Sequence, residues 1–160
     1  MIKKDKSLQF KNKIFIFIFL IATSFSYSQT NNPPEITADG RQAFCVGSPI
    51  NIVTDFSITD TDDDTIESFF IQISSGYQIN FDRLELVGFH PNISDLWDIN
   101  EGKLTLIASS NGSEILFSDL ENAVKDVIFR TSATNIVEEK SFSLSIGDAN
   151  YLPSTDHFYE

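Results

Sequence analysis

Short apolar runs of period two, separated by turn residues, constrain this chain more than any other feature. Phe56-Ser57-Ile58 alternates, as does Leu84-Glu85-Leu86-Val87. Phe69, Ile71 and Ile73 alternate with Phe70, Gln72 and Ser74, and Phe142, Leu144 and Ile146 alternate with Ser141, Ser143 and Ser145. Ile50-Asn51-Ile52-Val53, Leu104-Thr105-Leu106-Ile107-Ala108 after the Glu101-Gly102 turn, and Val127-Ile128-Phe129 complete the set. Successive side chains of a strand point to opposite faces, so such runs bury one face and wet the other. Many short strands spaced by about ten residues predict a two-layer antiparallel sandwich. One segment departs from this pattern. In Ser118–Lys125, Leu120, Ala123 and Val124 fall at helical spacing, and Ser118 followed by Glu121 reads as a capping box. A single short helix crossing between two strands is expected there.

The first 28 residues read as an export signal. Lys3, Lys4, Lys6, Lys11 and Lys13 precede nine consecutive apolar residues, Ile14–Ala22. A membrane-spanning helix needs roughly 20 apolar residues, whereas a signal-peptide core needs about 7–15 after a positive start. Ser26 and Ser28 are the small residues expected before a cleavage at Gln29. Residues 29–34 are polar and end in Pro33-Pro34, which marks a linker. The mature chain is expected outside the cell with no membrane span of its own.

Charge then excludes one class of partner. The whole chain carries −12 from 11 basic and 23 acidic residues. Removing residues 1–28 takes away five lysines and Asp5, leaving 132 residues with 6 basic and 22 acidic groups, a net −16. Such a chain repels phosphate, so nucleic acid is not an expected partner. The lone Cys45 excludes an internal disulfide and a multi-thiolate zinc site. Between Phe44 and Val46 it is expected to be a small buried apolar residue. From Pro34 to Asp148 the chain has 115 residues, enough for one domain that buries roughly two thirds of its unfolded surface.

The ordered set of segments is more specific than a sandwich. It runs through Phe56-Ser57-Ile58-Thr59-Asp60-Thr61-Asp62, Ser75-Gly76-Tyr77, Asp82-Arg83-Leu84, Trp97-Asp98 and Gly102-Lys103-Leu104-Thr105-Leu106. Leu120, Ala123-Val124, Val127-Ile128-Phe129 and Lys140–Asp148 follow. In this order they resemble a bacterial cadherin-like repeat of large secreted adhesins. The resemblance covers residues 35–148 and implies an all-β, antiparallel Greek-key-type sandwich with an adhesion or spacer role. Residues 149–160, with Tyr151, Phe158 and Tyr159, resemble the opening strand of a C-type lectin-like domain. That likeness implies a longer chain, neighbouring domains as partners, and a protein or carbohydrate surface as ligand. An accessory domain of a secreted hydrolase is the other reading of the same layout.

Asp60-Thr61-Asp62-Asp63-Asp64, with Glu67 nearby, is the best candidate for a ligand site. In an extended loop Asp60, Asp62 and Asp64 point to one side, and converging carboxylates suit calcium, which takes six to eight oxygen ligands. An EF-hand is excluded, because Thr65 stands where that loop needs glycine and Ile71 where it needs glutamate. Asp148 with Asp39 or Glu35 is a second candidate. Catalysis has no support. Ser74-Ser75-Gly76 is no nucleophile elbow, and neither His90 nor His157 neighbours a Ser or Cys motif. His90, beside Pro91, reads as a surface loop residue, and Trp97 as core or rim packing. Asn92-Ile93-Ser94 and Asn111-Gly112-Ser113 fit the glycosylation pattern. The export reading has a direct check: mass spectrometry of the secreted protein should find its first residue near Gln29, and an intact Met1 on the mature protein would remove it.

Overall fold

The computed structural model describes residues 32–135 and 139–147. The expected signal segment, the start of the linker and residues 148–160 lie outside them, as do Asp148 and His157. Among the described residues eleven strands and one helix follow in order: β1 Glu35–Asp39, β2 Ile50–Asn51, β3 Asp55–Thr59, β4 Thr65–Ile66, β5 Ser68–Ser75 and β6 Asp82–Leu86. Then come β7 Ile93–Asp98, β8 Lys103–Ala108, β9 Ile115–Leu116, helix α1 Phe117–Lys125, β10 Val127–Thr131 and β11 Ser141–Gly147. Every pairing is antiparallel. Among the described residues no helix is long and apolar enough to cross a membrane.

One layer is the four-stranded sheet β11-β5-β8-β7. Strand β5 is central, with Ile71 opposite Leu144 on β11 and Leu104 on β8. The period-two pattern decides which face turns inward. Phe69, Ile71 and Ile73 are buried, while Phe70 and Gln72 between them are only half-buried. The opposing layer contains β2-β10-β6 and the β1-β3 pair. Aromatic edges join the layers: Phe56 of β3 meets Phe69 of β5 at 5.4 Å between centroids, and Phe129 of β10 meets Phe142 of β11 at 5.6 Å. These T-shaped contacts add to the ~1.5–3 kcal/mol that burying each large apolar side chain contributes. The expected all-β antiparallel sandwich with one short helix is therefore what forms.

The helix forms where its spacing predicts, but its start differs from the expected capping box. Leu116 is the residue before the first turn, and no side chain caps it. The first helical amide, Phe117 N–H, instead donates to the Asp64 carbonyl at 2.9 Å. Ser118 thus lies inside the helix, where its carbonyl accepts from Asn122. Glu121 is freed from capping, and its Oε1 accepts the Ile58 amide of β3 at 3.1 Å. That contact closes the side of β3 that faces away from β1, a protection that exposed strand edges require. Leu120, Ala123 and Val124 are fully buried and hold the helix to the core.

A buried ion pair joins the two layers. Lys140, immediately before β11, places its Nζ 2.6 Å from Oδ2 of Asp82, the first residue of β6. The two side chains are 3% and 0% exposed. The same ammonium donates to the Gly76 carbonyl at 2.7 Å and Gln78 Oε1 at 3.3 Å, and lies 5.7 Å from the Phe129 ring centre. Three acceptors match its three N–H donors. Asp82 Oδ2 also accepts the Gln78 amide at 2.8 Å, whereas Oδ1 is buried without a partner among the described residues. Breaking one half of such a pair strands a buried charge and costs about 3–5 kcal/mol. Lys140→Met should therefore lower the unfolding free energy by ~3–5 kcal/mol in a urea titration. Adding Asp82→Asn to it should recover part of the loss. A Lys140→Met variant as stable as the parent would show that the pair contributes nothing.

Candidate functional site

The structure turns the acidic loop's first carboxylates back on the loop itself. Asp60 Oδ1 accepts the Asp62 amide at 3.0 Å, a two-residue Asx turn. Asp62 accepts the Asn32 amide at 3.2 Å through Oδ2 and the Thr61 hydroxyl at 3.2 Å through Oδ1. Asn32 Nδ2 donates in turn to the Thr61 hydroxyl at 3.0 Å. Asp64 is exposed, and its backbone carbonyl carries the helix start. Glu67 is half-buried between β4 and β5. Glu114 enters from the turn before β9 and accepts the Thr65 hydroxyl.

Sequence spacing alone did not single out Asp63, yet the loop's repulsion gathers on it. Partial desolvation, then the charges of Asp62, Asp60, Glu114 and Asp64, push the Asp63 carboxyl above its ordinary range. Asp60 moves the other way, held below that range first by the Asp62 amide it accepts. Among the described residues no three His, Cys, Asp or Glu side chains come together as a group that could hold a metal ion. Of the second candidate set, Glu35 and Asp39 are exposed at opposite ends of β1, and Asp148 lies outside the described residues.

Two readings of single residues are corrected. Cys45 is exposed rather than buried: neighbouring Phe44 turns inward to meet Phe129 at 5.5 Å, which leaves Cys45 and Val46 in solvent. His90 is not a free surface residue. Its side chain is 11% exposed, and its Nε2 lies 3.1 Å from both Asp126 Oδ2 and the Val87 carbonyl. Trp97 packs as expected, at the rim, with its ring 6.3 Å from that of Tyr77. Asn111 is exposed in a turn, and Asn92 donates from Nδ2 to Asp119 at 2.8 Å.

His90 and Asn92 belong to a cleft that the sequence did not reveal. It encloses about 530 Å³ between the β6–β7 loop and α1. The loop side supplies Phe89, His90, Pro91, Asn92 and Ile93, and the helix side Asp119, Asn122, Lys125 and Asp126. Helical spacing presents Asp119, Asn122 and Asp126 on one side of α1 and its exit, because residues three and four apart share a face. Two bonds clamp the walls together: His90 to Asp126 and Asn92 to Asp119. A third, from the Val87 amide to the Asp126 carbonyl at 3.1 Å, fixes the base of the loop. No motif marks such a site, because its halves lie about thirty residues apart and meet only through the fold.

The loop charges have a measurable consequence. Folding raises the Asp63 pKa, so this residue favours the folded state in acid and opposes it once ionised. Asp63→Asn should therefore melt higher than the parent at neutral pH. The gain should shrink as the pH falls through the ordinary carboxylate range near ~4. Asp60→Ala should show the reverse, a lower melting temperature at neutral pH with the loss fading in acid. Equal melting curves for parent and Asp63→Asn across that range would contradict the assignment.

Compared with known proteins, the chain matches no family model, no curated protein and no solved structure.

Proposed function

We propose that this chain is a non-enzymatic, extracellular β-sandwich that serves as an adhesion or spacer module of a bacterial surface or secreted protein. The observation that carries this reading is how its charged side chains are used. Asp82 and Lys140 staple the layers, Glu121 closes a strand edge, and Asp60 and Asp62 fold their own loop. Such a module keeps its shape outside the cell without a disulfide, and it can hold a neighbouring domain or partner at a fixed distance. The lysine-rich start followed by Ile14–Ala22 supplies the export route. The ordered likeness to cadherin-like repeats supports adhesion over other extracellular roles. Calcium at Asp60, Asp62, Asp64 and Glu67 is part of the proposal. Its support is the charge repulsion that Asp62, Asp60, Glu114 and Asp64 exert on Asp63, which a hard cation at the loop would relieve.

Deleting the gene should lower attachment of the producing cells to surfaces, and adding back the secreted protein should restore it. Unchanged attachment would remove the adhesive role. Melting curves of the same protein in millimolar calcium and in chelator test the cation. A ligand that binds only the native state must raise its midpoint, so coincident curves would remove calcium from the proposal.

A further inference from the structure

We propose that the cleft between the β6–β7 loop and α1 is a binding site for a neutral saccharide. This deepens the adhesive reading above and rests on it for the place where such a ligand is met. Its volume of about 530 Å³ falls within the ~300–1,000 Å³ typical of ligand sites. Its lining is unlike that of a pocket for an apolar ligand. Six polar side chains converge on it: His90, Asn92, Asp119, Asn122, Lys125 and Asp126.

The hydrogen bonds within the cleft narrow the ligand's charge. Asp126 is matched by His90 at 3.1 Å and Asp119 by Asn92 at 2.8 Å. Lys125 adds a cation at the helix end, where it also favours the helix dipole. Each carboxylate thus has its Oδ2 engaged within the cleft. Asn122 donates one Nδ2 hydrogen to the Ser118 carbonyl, and Asn92 donates one to Asp119. Each amide keeps its oxygen as an acceptor and a second N–H as a donor. A planar amide that offers donor and acceptor side by side complements a pair of neighbouring hydroxyl groups, each of which can donate and accept. A neutral polyol uses that capacity fully, whereas a cation or an anion would use half of it.

The aromatic wall supplies the other half of saccharide recognition. Phe89 is 86% exposed, more than any other large hydrophobic residue described. It is not exposed because its loop is loose. Gly88 adopts φ +90, and a Cβ there would lie 3.1 Å from Asp126 Oδ2 and 3.3 Å from His90 Nε2. Only glycine takes that conformation and approach without strain. The His90 ring bonds the Val87 carbonyl, and the Ile93 amide bonds the His90 carbonyl at 3.1 Å. A turn held this firmly aims Phe89 outward at the lip of the cleft, and such preorganisation lowers the entropy lost on binding. An aromatic face stacks on the C–H face of a sugar ring and removes apolar area from water.

The test titrates the secreted protein by calorimetry with cellohexaose, laminarihexaose, mannohexaose and chitohexaose, and with hexalysine as a charged peptide probe. At least one saccharide should bind. Phe89→Ala should weaken it about tenfold, the scale of a lost aromatic contact, without moving the melting midpoint. Asn122→Ala should also weaken it. Binding of none of the saccharides, binding unaffected by Phe89→Ala, or binding of hexalysine alone would each overturn the site. The adhesive role is scored separately by attachment. Attachment restored by the parent protein, while that parent protein binds none of the saccharides, would overturn the site and leave the adhesive reading standing.

Discussion

The Lys140–Asp82 pair is the constraint on which the rest of the sandwich depends. It joins the entry of β11 in one sheet to the start of β6 in the other, across the ring of Phe129. A pair with side chains this buried is costly to assemble, because both charges leave water. It is tolerated here because the ammonium finds three acceptors and Asp82 Oδ2 finds a second donor in the Gln78 amide. The unpartnered Asp82 Oδ1 is the residual cost. An apolar pair of equal volume would cost less to bury, but it would not fix the register. Both charges must meet at one point, so β11 can enter only where Ser141 lies opposite Ser75 and the step to Phe142 opposite Ile73 absorbs a bulge.

That requirement explains why so much of the fold was legible in the sequence. Once the sheets are fixed, the period-two runs of β5 and β8 bury the residues they predict, with Phe69, Ile71, Ile73, Leu104 and Leu106 all inside. On β11, by contrast, Phe142, Leu144 and Ile146 stay half-buried like Ser143 and Ser145 between them. Strand β7 escaped notice because it is an edge strand without alternation. Trp97 faces inward opposite Leu104, and Leu96 remains 57% exposed opposite Thr105. Its identity as a strand comes from the hairpin to β8. There Asp98 accepts the Asn100 amide, and Gly102 takes φ +65 beneath the Tyr77 ring. Glu101-Gly102 was readable as a turn; the strand before it was not.

The misread residues share one cause, which is that a local pattern can be outbid by a distant partner. Ser118 and Glu121 have the spacing of a capping box, but the Asp64 carbonyl and the Ile58 amide are better placed partners. The helix start therefore belongs to the acidic loop, and its Glu belongs to β3. Cys45 has apolar neighbours on both sides, yet Phe44 is the one that reaches Phe129, and the turn that follows leaves Cys45 and Val46 both in solvent. For the acidic loop, composition located the charges but not their orientation. Asn32, about thirty residues upstream, decides where the Asp62 carboxylate points.

The cleft follows from the same competition. An α-helix of nine residues placed between β9 and β10 cannot lie flush against a twisted sheet edge along its whole length. Its buried face, Leu120, Ala123 and Val124, fills the core. The flank bearing Asp119 and Asn122 is then left facing the β6–β7 loop. Polar groups at such a junction need partners, and His90 and Asn92 supply them across the gap. The bonds that satisfy the helix flank therefore also hold the loop open and Phe89 clear of the core. At this junction rigid polar and aromatic groups are turned together toward solvent. Its shape is a consequence of fitting one helix into an all-β frame.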